Sequence, residues 1–302
     1  MTTTTDTSTF RRTVTASVPI VLRALDPIHH GAGTAGNTSL IRMQDFYNEE
    51  TQEFTRTPIV SGNSIRHGIR EALAWLAVDT LKIEDRSLSK AMVDLLWSGG
   101  ALTATGAQTD LHALSERHRL LPFLPLMGYS YLSDIVRGSL RVSIAHLACA
   151  ENRWRLPAAV MRDPAAGRRA VEWIGEEFGT RHDVAGGPVD RLLEEAVFGT
   201  PSTQMIYDMQ VVVAGSLWTF SVEVDAAVPA SVDALAAALT RVSRGGVWYL
   251  GAKRSVGFGR CKVVAADTSQ LTDDPPAAAA RFVDNLTGCI DDARALLQGG
   301  AA

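Results

Sequence analysis

The stretch Arg241-Val-Ser-Arg-Gly-Gly-Val-Trp-Tyr-Leu-Gly-Ala-Lys-Arg-Ser-Val-Gly-Phe-Gly-Arg-Cys-Lys262 holds six basic residues, five glycines and no acid. Gly245, Gly246, Gly251, Gly257 and Gly259 remove side chains over fifteen positions, so the backbone can approach a polyanion and offer N–H donors, and Lys253, Arg254 and Arg260 supply charge. A glycine-rich β-turn with solvated bases is the plainer alternative. Before this run, Val232–Val242 has the spacing of a helix; after it, Phe258–Ala265 reads as a last strand and Ala277–Leu297 as an alanine-rich C-terminal helix.

Working back along the chain, Val14–Ile28 alternates as a first strand, and His29–Asn37 reads as a glycine-rich loop. A helix starts near Asn63, with Ile65, Ile69, Ala72, Leu73 and Leu76 on a buried stripe and Arg66 and Arg70 off it. A shorter helix covers Lys90–Trp97. Ser139–Ala150 reads as one strand, with Leu140, Val142, Ile144 and His146 on a common face, and Tyr207–Asp225 as a strand-rich run bending at Gly215. Trp173, Trp218, Trp248 and Phe220 are expected in the core. Residues 1–9 read as a disordered tail and 10–302 as one domain with insertions at about 81–137 and 151–204. Without the insertions the order is strand, helix, strand, strand, helix, strand. That is the α+β, ferredoxin-like (RRM-like) βαββαβ order, which places helices on one sheet face and leaves the other free.

Composition narrows the function classes. With 302 residues, 46% of them hydrophobic and 21% charged, the chain can bury a sizeable core. No apolar run approaches a membrane span, and Met1–Phe10 lacks the pattern of a secretory leader, so a cytoplasmic protein without a membrane partner is expected. Cys149, Cys261 and Cys289 are too scattered for a disulfide framework or a zinc knuckle; neither a metal nor a cofactor is expected. The net charge of −4 resides in residues 264–302, the rest being balanced, so basic patches stand out locally.

Pro58-Ile-Val-Ser-Gly-Asn-Ser-Ile-Arg-His-Gly-Ile-Arg70 resembles the first-helix signature of the RAMP superfamily, and Gly251–Arg260 is similar to that superfamily's C-terminal glycine-rich loop. Leu126-Met-Gly128 and Gly138-Ser-Leu-Arg-Val142 resemble the turn and strand opening its second half, and Asp26-Pro-Ile-His-His-Gly31 looks most like the type IV CRISPR backbone subunit. The resemblance spans about 13–265. It implies a palm with helical and thumb-like hairpin insertions that is a non-catalytic coat along guide RNA (crRNA). Such a coat would form a homo-oligomeric filament with other CRISPR effector subunits and present the guide to a complementary target nucleic acid.

The RNA-binding residues expected on this reading are His29, His30, Arg42, Ser61, Asn63, Ser64, Arg66, Arg70, Arg153, Trp154, Arg155, Lys253, Arg254, Ser255 and Arg260. Ser61–Ser64 lie where a helix N-terminus favours a phosphate, although Asn63 or Ser64 could equally serve as the cap. Arg66 and Arg70 are spaced to track a backbone. Trp154 stands between Arg153 and Arg155, able to wedge between bases while the arginines hold phosphates. Aligned through Leu40-Ile-Arg42, the resemblance places Asn37 where target-cleaving relatives carry an aspartate, and an amide cannot ionise as a carboxylate does. Two alternatives follow from the same region. His29 and His30 could make a metal-free endoribonuclease that processes CRISPR RNA. Gly31-Ala-Gly-Thr-Ala-Gly36 spells GxGxxG, the mark of a dinucleotide-binding oxidoreductase, but no helix or closing acid follows in the expected place.

Overall fold

The computed structural model describes residues 13–102, 108–181 and 205–299; the tail read at 1–9 lies outside them. Strand β1 (Val14–Ala24) crosses the principal sheet and buries its even-numbered side chains from Ala16 to Ala24. Beyond it the chain departs from expectation. Residues 29–37 are not a loop: β2 (Gly31–Ala35) turns at Gly36-Asn37 into β3 (Thr38–Ile41), with Gly36 at φ 61° supplying the tight turn. The polar stretch 44–58 is a hairpin of β4 (Met43–Asn48) and β5 (Glu53–Val60), paired from Met43–Pro58 to Asn48–Glu53. Most of its side chains face solvent, so it lacks the apolar alternation that marks a half-buried strand. The Asn48 side chain, accepting from the N–H groups of Glu50 and Thr51, closes the turn.

Helix α1 (Gly62–Leu81) begins one residue earlier than expected, because Ser61 caps it by accepting the Ser64 N–H. Ile65, Ile69, Ala72 and Leu73 are buried as their spacing predicts. Gly62 passes beneath the next segment so closely that a Cβ there would stand 2.2 Å from the Val142 carbonyl oxygen. The insertion at 81–137 contains α2 (Lys90–Trp97), β6 (Gly100–Leu102), α3 (Leu111–Leu120), α4 (Phe123–Met127), β7 (Tyr129–Leu132) and β8 (Asp134–Val136), with β6, β7 and β8 forming a small sheet. Its residues 103–107 are outside the described ones. The single strand expected at 139–150 is two, β9 (Leu140–Val142) and β10 (Ala145–Leu147). At the break the Ser143 hydroxyl accepts the Ser221 N–H at 2.8 Å. The inward register therefore shifts from Leu140 to Ala145 and Leu147, and His146 faces the other way.

Residues 150–173 run as short turns around α5 (Ala158–Met161). Then β11 (Ile174–Arg181) and β12 (Met205–Val212) pair over eight positions and join β3 and β2 in a second, four-stranded sheet. Of the thumb-like insertion read at 151–204, residues 151–173 are these turns, 174–181 are β11, and 182–204 lie outside the described residues. The run 207–225 divides at Gly215 (φ 87°): β12 belongs to the second sheet and β13 (Leu217–Ala227) to the first. Then follow α6 (Pro229–Val242), β14 (Val247–Tyr249), β15 (Arg260–Ala266), α7 (Pro275–Gly288) and α8 (Ile290–Gln298). The one C-terminal helix expected at 277–297 is therefore broken at Gly288-Cys289.

The principal sheet has the order β14-β15-β1-β13-β10-β5-β4, with β9 also on β13. Its central strands β15, β1, β13 and β10 are antiparallel, with α1 before β9 and β10 and α6 between β13 and β15. This is the ferredoxin-like α+β palm, widened by β5 and β4 at one edge and β14 at the other. Helices α1 and α6 cover one face, with Leu73 and Leu235 in a common core with Ile20, Leu22, Trp218 and Phe220, and α7 lies against α6 and α1 with Phe282 buried. Trp248 joins this core, whereas Trp173 is only half-buried. Cys149 and Cys261 are buried.

The opposite face, expected to be free, is partly covered. Residues 148–173 lie on it through Leu156, Val160, Ala165 and Ala166 against Leu217 and Val21, an Arg23–Asp163 ion pair at 2.5 Å and an Asn152-to-Thr57 hydrogen bond. Val21 and Leu217 are apolar side chains on that face, and their burial draws the cover down.

Candidate nucleic-acid interface

The glycine-rich run is stitched to the loop after β1. Ala252 N–H donates to the His29 carbonyl at 2.8 Å, and Gly259 N–H to the Pro27 carbonyl at 2.9 Å. At Gly251 (φ 77°) a Cβ would stand 2.4 Å from the His29 oxygen, and at Gly259 (φ 84°) 2.1 Å from the Leu250 oxygen. These two glycines therefore serve approach of the chain to itself rather than to a ligand. Between them Lys253, Arg254, Ser255 and Val256 are exposed, with Lys253 in the left-handed region at φ 61°. Lys253 Nζ lies 5.4 Å from the Tyr207 ring, and the Arg254 guanidinium 6.0 Å from that of Tyr249. Among the described residues neither cation has an acidic partner within 4 Å. Arg260 differs from expectation: the Asp26 carboxylate holds it at 3.1 and 3.2 Å, so its charge is already matched.

The same loop reaches the start of α1. His30 Nε2 accepts the Ser61 N–H at 3.2 Å, and burial together with the Arg42 charge holds its pKa below the ordinary histidine value. Asn63 is exposed, Ser61 and Ser64 are half-exposed, and Arg42 projects to solvent. His29, expected at the surface, is buried. Its Nδ1 lies 2.8 Å from the Gln210 carbonyl, to which it donates, and its Nε2 lies 3.2 Å from the Ser39 hydroxyl. Both nitrogens are thus committed to holding β3 and β12 against the loop, and the paired-histidine nuclease reading retains only His30.

Arg66 and Arg70 also correct the expectation that they track a backbone. Both donate to the Met127 carbonyl, and Arg70 also to the Gly128 carbonyl at 2.7 Å. These oxygens end α4, where helical carbonyls lack partners and the dipole favours cations. Arg70 is buried there, and burial with the neighbouring Arg66 charge lowers its pKa to about 10.

The inserted basic group has the inverse of the expected geometry. The Arg155 guanidinium stacks 3.6 Å from the Phe46 ring centroid and 5.6 Å from that of Trp154, and it donates to Asn152 Oδ1. A cation between two aromatics replaces an aromatic between two cations. The Trp154 indole N–H is enclosed without a partner among the described residues, and of the three only Arg153 is exposed. Phe46 in turn meets His146 edge-on at 5.3 Å. Burial, assisted by Arg155, pushes His146 down to about 4.

A pH dependence follows from His146. The folded state binds its proton less tightly than the unfolded state, so this contribution is complete above about pH 6.5 and lost as pH falls toward 4. Between about pH 7.5 and about pH 5 it amounts to roughly 2 kcal/mol. Urea unfolding at both pH values should show His146→Phe losing that much less stability on acidification than wild type; an equal loss in both proteins would contradict the assignment.

Asn37 sits exposed at the β2–β3 turn. Gly31–Gly36 is strand and turn, and the chain runs on into a strand rather than a helix, which contradicts the dinucleotide-binding alternative. The sequence reading missed an open groove of about 560 Å³ beside Arg254, lined by Gly68 and Trp75 of α1, Arg241, Arg244, Tyr249 and Arg260. Arg244 and Tyr249 lie within the quoted acid-free run; Trp75 is off the buried stripe of α1, a signal that was available. Among the described residues no cluster of His, Cys, Asp and Glu suits a metal ion, and no helix is long and apolar enough to cross a membrane.

The fold and this surface define a ferredoxin-like palm whose exposed glycine loop carries two cations, without an acidic partner among the described residues, beside a helix N-terminus. No family model matches the chain, and no curated protein does. Among solved structures, the chain is similar to one described as a Type IV-B CRISPR Complex, with 17% identity, over 90% of this chain and 99% of that chain, at a TM-score of 0.59. The two share a fold.

Proposed function

We propose that this protein is a non-catalytic, guide-RNA-binding backbone subunit of a CRISPR effector ribonucleoprotein, polymerising along crRNA and presenting it for target pairing. The observation that carries the reading is the exposed Lys253-Arg254-Ser255 loop, without an acidic partner among the described residues, adjoining the His30–Ser61 start of α1. The shared fold with a chain of a type IV-B CRISPR complex supports the same assignment. Lys253 and Arg254 contact phosphates, Ser61, Asn63 and Ser64 offer hydroxyl, amide and N–H donors, and Arg42 and Arg153 add charge at the margins. Contacts of this kind read backbone rather than sequence. The partners are guide RNA, a complementary target, further copies and other effector subunits; the compartment is the cytoplasm.

Absence of chemistry is tested directly. Labelled guide-repeat RNA incubated with the protein, with and without divalent metal, is expected to remain intact, while RNA extracted from the purified protein should have a narrow length distribution. Cleavage by wild type that His30→Ala abolishes would establish the processing-nuclease reading instead.

A further inference from the structure

The two edges of the principal sheet carry complementary surfaces. At one edge the β4–β5 hairpin projects Glu49, Glu50 and Glu53, all exposed and none ion-paired among the described residues, with Asp45 reaching Arg56 only at 3.9 Å. Beside these acids Tyr47 and Phe54, 48% and 78% exposed, stack edge-to-face at 5.5 Å. At the other edge, next to β14, is the open groove of about 560 Å³ with Trp75 and Tyr249, 45% and 41% exposed. Its charges are unequal in availability. Arg241 is held by Asp79 and Arg260 by Asp26, Glu71 adds one acid, Arg254 at the margin belongs to the loop assigned to RNA, and Arg244 is exposed without an acidic partner among the described residues.

An acidic, aromatic projection therefore lies six strands from a basic, aromatic groove. At about 4.8 Å per strand the two edges are about 29 Å apart, so a molecule cannot fill its own groove with its own hairpin. Exposed aromatics in a charged rim mark a contact surface, and β4 and β14 are the two ends of the sheet, where an edge strand needs cover. From this arrangement we infer that the occupant of the groove is the β4–β5 hairpin of a second copy of this chain. Phe54 and Tyr47 would pack against Tyr249 and Trp75, with Glu49 and Glu50 facing Arg244. Because the two surfaces differ, the contact is heterologous and repeats without closing, which yields a filament. The inference rests on the coat reading for its setting and specifies the joint between protomers.

The test is a charge exchange. Glu49→Arg with Glu50→Arg reverses the hairpin, and Arg244→Glu reverses the groove. Each variant alone should assemble on a long single-stranded RNA at least about tenfold more weakly than wild type, as like charges now face each other. For Glu49→Arg with Glu50→Arg, which lie outside the RNA-binding loop, binding to an RNA too short for two protomers should stay within about threefold. Mixing the two variants should restore assembly in alternation, seen as two-protomer and larger species in sedimentation, since the reversed hairpin then meets the reversed groove and the unchanged hairpin meets the unchanged groove. A mixture without recovery would overturn the joint. Equal losses on short and long RNA in Arg244→Glu would also overturn it, assigning the groove to RNA. If wild type binds no RNA the coat reading fails, and pair recovery in the RNA-free mixture at high protein concentration still decides the joint.

Discussion

Alanine at both Lys253 and Arg254 is expected to weaken binding to single-stranded RNA by about two orders of magnitude at low salt. The estimate rests on two charge-assisted contacts of about 1.5 kcal/mol each. Both side chains are exposed and lack acidic partners among the described residues, so their charge is available to a polyanion rather than spent within the fold. The logarithmic salt dependence should flatten by about 0.7 per lost phosphate contact, and so by about 1.4 in total. Unrelated RNA sequences should be affected alike, since phosphates carry no sequence. Arg260→Ala should behave differently: it frees Asp26, which places an unpaired carboxylate at the foot of the loop. Filter binding across a salt series separates these cases, and an unchanged slope in the double variant would remove the loop from the interface.

The second large effect is on folding. Gly251→Ala should destabilise the protein by about 3 kcal/mol, because the new methyl meets the His29 carbonyl at 2.4 Å in a backbone region that costs alanine about 1–2 kcal/mol already. Gly245→Ala tests the cause. Gly245 has a similar φ of 69° but open space around it, so only the conformational cost of about 1 kcal/mol should appear. Chemical denaturation of the two variants should differ by about 2 kcal/mol, and equal values would show that the approach of the two loops is not tight. Because the displaced contact carries His29 and His30, RNA affinity should fall with stability in Gly251→Ala and hold in Gly245→Ala.

What could be read from residues alone divides by range. Strand β1 and the stripe of α1 were legible because their periodicity is local, and the strand–helix order led directly to the palm. The β4–β5 hairpin was not, since Gln44, Asp45, Glu49 and Glu50 offer no apolar face to a pattern search. The glycine run was legible as a unit, but its partner was not: the Asp26–Arg260 pair joins residues 234 positions apart and turns an expected RNA contact into a structural clamp. Arg70 misled for a related reason. An arginine beside a buried stripe reads as solvated, and only the arrival of the α4 carbonyls over α1 makes burial affordable. His29 likewise reads as a loop side chain until Gln210 and Ser39 close on both ring nitrogens.

On the proposed function, copies of this 32.4 kDa chain coat RNA. Particle mass measured on single-stranded RNAs of increasing length reports the coat itself. Mass is expected to rise in steps of one protomer, with step spacing set by a fixed number of nucleotides and the occupancy of neighbouring sites cooperative. Mass that stays at one protomer per RNA whatever its length, or no bound RNA at all, would contradict it.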